Sequence, residues 1–168
     1  MKKRLMFVLA TALGALALMS GVANASLLGP TWNHASGQQP YVTVEDHTGS
    51  AWPVHTTTNA WAFGLHYGRC YNSQCVRVYE ANWGRNGTVG VTNYSYYTAS
   101  NRFAYVTITM NDAYAGDPYS YRYQAIGQEL GHSLGLGHDP YADIMYAYDR
   151  GFDLISNFER SELTQAYR

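Results

Sequence analysis

After position 3 the chain contains no lysine, and charge is sparse throughout, at 14% of residues. Three of the 11 basic residues fall in the first four positions. The other eight are scattered arginines facing 12 acidic side chains, a formal charge of −4 from residue 26 onward. No basic cluster exists, so the electrostatic footprint of nucleic-acid binding is missing. Cysteine is limited to Cys70 and Cys75, too few for a four-cysteine metal site. There is one long apolar run, Leu5 to Met19, and no second one to suggest a membrane span. Internal repeats, low-complexity tracts and linkers between domains are absent as well.

What is present at the N-terminus reads as an address. Lys2, Lys3 and Arg4 precede the apolar run, and Ala23-Asn24-Ala25 places small residues where a signal peptidase reads. The pattern predicts a cleavable export signal over residues 1–25, cut after Ala25. The run is short for a membrane anchor. Residues 26–168 then form one domain, long enough to bury a core. An exported chain is expected to close Cys70 and Cys75, which enclose four residues, into a small disulfide loop. A C-x4-C metal pair is the alternative, but it has no second pair to complete it. The 16 tyrosines all follow position 25. They suit half-buried strands and groove walls, being apolar with one polar handle.

Ser26 to Pro40 has no periodicity and reads as a loose lead-in. Tyr41 to Glu45 alternates and is a candidate strand, followed by a turn over Asp46 to Ser50. Trp52 to Phe63 reads as a helix with Pro53 at its first position, Val54, Thr57, Thr58, Trp61 and Ala62 on one face, and Gly64 as its stop. Val76 to Tyr79 and Thr88 to Asn93 are short strands around a turn with Asn86-Gly87 at its tip. Arg102 to Met110 is the clearest strand. Its alternation puts Ala104, Val106, Ile108 and Met110 toward the core, and Phe103, Tyr105, Thr107 and Thr109 away. Tyr121 to Leu134 is a long helix, capped by Asp117 or Ser120, with Ile126, Leu130 and Leu134 as its buried stripe. Tyr148 to Leu154 is irregular. Ser156 and Glu159 form a capping box for a closing helix that carries Leu163 and Tyr167 on one face. This order predicts an α+β domain: a twisted mixed β-sheet with a long central helix and a C-terminal helix packed on it.

The chemistry gathers between Gln128 and Met145, QELGHSLGLGHDPYADIM. Positions 128 and 132 lie one helical turn apart and face the same way. In a His-Glu-x-x-His helix that spacing lets two imidazoles grip one zinc, with the Glu aimed at the metal's water. Glu129 and His132 hold the second and fifth positions. Gly135, three residues on, permits the positive φ that ends the helix and swings His138 back as a further ligand. Ile144-Met145-Tyr146 then form a turn beneath the site.

The stretch resembles the metzincin signature, His-Glu-x-x-His-x-x-Gly-x-x-His with a methionine turn. Leu134-Gly135-Leu136-Gly137-His138 and the short path to Met145-Tyr146 are similar to matrixin-like bacterial secreted peptidases. The resemblance implies a secreted, extracellular zinc metalloendopeptidase acting on protein or peptide substrates, with no nucleic-acid partner, no membrane contact after signal removal, and a monomeric state. It makes Glu129 the general base, His132 and His138 zinc ligands, and Met145 the residue of the methionine turn. Zinc would polarise the scissile carbonyl and lower the pKa of its water while Glu129 takes the proton. The strand before the helix would hold the peptide extended. Calcium is the other cation implied, with Asp112 and Asp117 as candidate carboxylates, although a capped polar loop explains them equally.

The departure is Gln128, a neutral amide where the family has its first histidine. Three outcomes stand open. Gln128 ligates through its oxygen; or water, His34, His47, His55 or His66 fills the place; or zinc does not bind and the chain is a peptide- or glycan-binding homologue without cleavage.

Overall fold

The computed structural model describes residues 5–7, 27–49, 51–139, 142–147 and 155–168. The rest of the expected export signal, with its cleavage site, lies outside the described residues, as do Ser50 and the segment 148–154 expected to be irregular.

The chain forms an α+β domain on a mixed sheet. Its strands are β1 (Leu5–Phe7), β2 (Val42–Asp46), β3 (Leu65–Tyr67), β4 (Cys75–Ala81), β5 (Gly90–Tyr97) and β6 (Arg102–Asn111), ordered β1-β5-β6-β4-β2-β3. The pairs β2–β3, β2–β4 and β4–β6 are parallel, while β5 runs antiparallel to β6. Leu5–Phe7, inside the expected signal, lies antiparallel on the last three residues of β5. Strand β3 has no signature in the sequence, because its LHY is too short to show a period.

Helices α1 (Val54–Trp61) and α2 (Tyr119–Ser133) pack against each other and on the sheet, α1 over β2 and β3, α2 over β5 and β6. Alternation decides which strand residues meet them. Val42 and Val44, Val76 and Val78, and Val106, Ile108 and Met110 are fully buried. They join Val54, Trp61, Ile126, Leu130 and Leu134 in one core. Burying a Val, Leu or Ile side chain contributes about 1.5–3 kcal/mol, so this layer dominates the stability of the domain.

Three local expectations are corrected. Phe103 is buried, not outward. The register between β5 and β6 slips between Ser95 and Tyr96, which pair with Tyr105 and Phe103. This bulge opposes an extra residue, reverses the alternation, and turns Phe103 onto Trp32 and Tyr94. Helix α1 ends at Ala62, which takes a left-handed conformation (φ 47) and is exposed, two residues before Gly64. Neither Asp117 nor Ser120 caps α2. Its N-cap is Pro118, with no side-chain bond; Ser120 lies inside the helix, and the Asp117 carboxylate is taken by Arg85.

The lead-in is docked rather than loose. Leu27 bridges Leu136, Thr31 bridges Arg102, and Trp32 is fully buried with its indole N–H on Ser133 O at 2.8 Å. A single buried tryptophan fixes this segment where periodicity gave no sign of order. Helix α3 (Asn157–Ala166) has the expected capping box of Ser156 and Glu159. Cys70 and Cys75 form a disulfide, with Cα atoms 5.7 Å apart.

Candidate metal centre

Helix α2 delivers Gln128, Glu129 and His132 on adjacent turns, and the way it stops delivers His138. Gly135 adopts φ +98 just past the end. Its N–H donates to His132 O (3.0 Å), and the Leu136 N–H reaches back to Gly131 O (3.1 Å). This is the left-handed helix stop that only glycine enters without strain. A side chain there would also meet Pro30 O at 2.6 Å. The reversal brings the Nε2 atoms of His132 and His138 to 3.1 Å, their rings tilted by 62°.

The His132 Nδ1 hydrogen-bonds Leu136 O at 2.8 Å. A carbonyl can only accept, so Nδ1 carries the proton and Nε2 is left with its lone pair. Burial lowers the pKa of His132, which keeps the ring neutral. His138 is exposed, and its pKa is also lowered, by desolvation first and then by His132. Two imidazole nitrogens sharing a tetrahedral zinc stand about 3.3 Å apart, given Zn–N distances of about 2.05 Å. The observed spacing fits such an ion.

The third place is filled differently. Gln128 donates its amide Nε2 to Tyr146 O at 2.6 Å. Its nitrogen is therefore committed to the turn, and only its oxygen remains as a donor to a cation. The other histidines do not replace it. His34 packs at a tilt against Tyr167 and contacts Arg102, His47 stacks on Tyr79, His55 meets Tyr67 edge-on and contacts Asn59, and His66 stacks on Tyr41. Among the described residues, one cluster gathers three His, Cys or carboxylate ligand atoms, Glu45 with Cys70 and Cys75. Its sulfurs are spent on the disulfide. The calcium candidates are not assembled, since Asp117 pairs with Arg85 and Asp112 is exposed.

Glu129 is buried, and its Oε2 accepts a 2.6 Å hydrogen bond from the Thr92 hydroxyl on β5. Burial pushes its carboxyl up to about 7, against the opposing pull of Thr92 and then His138. Gly90 makes the space: a Cβ there would lie 2.8 Å from Glu129 Cγ.

The methionine turn packs under α2 as closely as atoms allow. A Cβ on Gly131 would sit 2.2 Å from Met145 Sδ, and one on Gly127 would sit 2.2 Å from Ile144 Cδ1. Met145 is fully buried. Gly90, Thr92 and Gly127 join the site only through the fold, as does Gly131. The glycine pair had a readable signal, two glycines one helical turn apart beside the ligand positions. Gly90 and Thr92 had none, because only the fold brings β5 to Glu129.

A scan against protein-family models finds no match to the chain, and no curated protein is significantly similar to it.

The raised carboxyl makes a test. Folded Glu129 holds its proton to about pH 7, whereas the unfolded group releases it near 4.5. Between these values the folded state binds more protons, so this group's contribution to stability falls as pH rises. The lowered histidines act with the opposite sign below their ordinary pKa, so the difference between proteins isolates the effect. Glu129→Gln should gain stability relative to the parent from pH 4.5 to 7, by on the order of 3 kcal/mol at most, then level off. Urea unfolding of the metal-free proteins across that range measures it, and a pH-independent difference would refute the assignment.

Proposed function

We propose that the chain is a secreted zinc-dependent endopeptidase of the metzincin type, resembling the matrixin-like bacterial secreted peptidases. The observation that carries this reading is the convergence of the His132 and His138 Nε2 atoms at 3.1 Å, beside the buried Glu129. His132 and His138 would hold the ion, with the Gln128 oxygen as the third protein ligand. A zinc ion held there supplies a Lewis acid and a route to a nucleophile at neutral pH. Glu129 takes and returns the proton. A carboxyl titrating at about 7 is matched to that work, and the Thr92 bond holds one of its oxygens still. Met145 and Ile144 make the floor.

The substrate strand needs correction. The strand before the helix, β6, has β4 on one side and β5 on the other, so neither edge is open. Strand β5 is covered on its outer side by β1 only at Ser95–Tyr97; it passes directly by Glu129 through Gly90 and Thr92 and is the better seat for an extended peptide. That Leu5–Phe7 pairs with Ser95–Tyr97 supports this, since the edge accepts an antiparallel segment. Export rests on the basic start, the apolar run and Ala23-Asn24-Ala25.

A second reading is favoured by the Gln128 bond to Tyr146 O: the amide serves the turn, and the domain binds peptide without cleaving it. Metal analysis and a cleavage assay on residues 26–168 separate the two. The peptidase holds about one zinc per chain and cleaves a protein substrate, and both chelation and Glu129→Gln abolish cleavage. Peptide binding that is indifferent to chelators, with no bound zinc, would favour the second reading instead.

A further inference from the structure

Glu159 does more than its helix requires. In a capping box the third-position carboxyl serves the N-cap N–H. Here Oε2 does so, accepting from Ser156 N at 2.9 Å and from the Ser156 hydroxyl. The other oxygen leaves the helix altogether. Oε1 accepts the N–H groups of Asp143 (2.8 Å) and Ile144 (2.9 Å), the residues that lead into Met145. Glu159 is fully buried, and among the described residues its four bonds are to donors on these two segments. The neighbouring Arg160 turns away, donating to Ala60 O.

The turn so held touches both flanks of the proposed ligand set. Tyr146 O accepts the Gln128 amide at 2.6 Å. Met145 O accepts the N–H of Asp139, the residue next to His138, at 3.1 Å. A shift of residues 143–146 would therefore move Gln128 and His138 together. We infer that Glu159 is a positioning residue, which ties α3 to the methionine turn and through it fixes the spacing of the metal ligands. The inference rests on the zinc reading above. The partners that orient metal ligands are typically worth about 10–100-fold in affinity, and Glu159 acts at one remove on two ligands at once.

The test is zinc affinity by competition with a chromophoric chelator, together with the visible spectrum of the cobalt-loaded protein. Both are measured on residues 26–168 with Gln128 retained and with Gln128→His. Glu159→Ala should weaken zinc binding by about 10–100-fold, alter the cobalt spectrum, and speed hydrogen exchange at the Asp143 and Ile144 amides. Should Glu159→Ala not fold, Glu159→Gln keeps the volume and one acceptor oxygen and should still lose several-fold. Gln165→Gly loosens α3 at an exposed position away from these bonds and should leave affinity within about threefold. Unchanged affinity in both Glu159 variants overturns the proposal, as does an equal loss in Gln165→Gly, which would make the effect one of helix stability. If neither parent binds zinc, the metal reading falls and takes this inference with it.

Discussion

Gln128→His is expected to raise zinc affinity by about 100-fold or more, and to raise peptide cleavage with it. Even an outer partner of a metal ligand is worth about 10–100-fold, and position 128 is one helical turn from His132, where a ligand itself would stand. The change gives up the 2.6 Å bond from the Gln128 amide to Tyr146 O, a net loss of about 1 kcal/mol. An added imidazole more than offsets this, because two neutral nitrogens are already in place at 3.1 Å. Zinc titration against a competing chelator reads the affinity, and a quenched-peptide assay reads the turnover. A variant that folds but binds zinc no better than its parent would show that His132 and His138 are not a metal pair.

Gly131→Val should unfold the domain more readily than any polar change near the site. Its side chain would enter space held by Met145 Sδ at 2.2 Å and Trp61 Cζ2 at 2.9 Å. Neither neighbour can yield cheaply. Met145 and Trp61 are both fully buried, and the Trp61 indole N–H is fixed on Gly127 O at 3.1 Å. Replacing glycine inside a helix returns less than about 1 kcal/mol through propensity. Overpacking a filled core costs about 1–3 kcal/mol, occasionally more, and dominates. The melting temperature should fall by on the order of 10 °C, with zinc affinity falling in step as the turn is pushed from the helix. Calorimetry with and without zinc measures both. A variant as stable as its parent would mean that helix and turn are not locked together as described.

The elements legible in the sequence were those whose signal is local. The stripe of Ile126, Leu130 and Leu134, the alternation of Val106, Ile108 and Met110, the capping box of Ser156 and Glu159, and the Gly135 stop all follow from spacing along the chain. What was hidden depends on partners far away in sequence. Phe103 turns inward because of a bulge against β5, and the lead-in orders because Trp32 finds Ser133. Glu129 meets Thr92 and Gly90 because the sheet carries β5 past α2. At the site, the helix, its stop and the returning histidine were readable from residues 128–138. The hold on the Gln128 amide was not, because Tyr146 O is a backbone atom, and the sequence of the turn does not say which side chain its carbonyl meets.

Tyr167 has a consequence for the order in which the molecule is completed. Its hydroxyl accepts from Trp32 N, 135 residues away, and donates to Leu134 O at the end of α2. One phenol thus fastens the lead-in to the end of the helix, directly beside the glycine reversal. A chain made from its N-terminus has every other part of this junction long before it has Tyr167. The lead-in already meets the helix end through Leu27 and the Trp32 indole, and Tyr167 adds a third fastening whose long range in sequence slows folding.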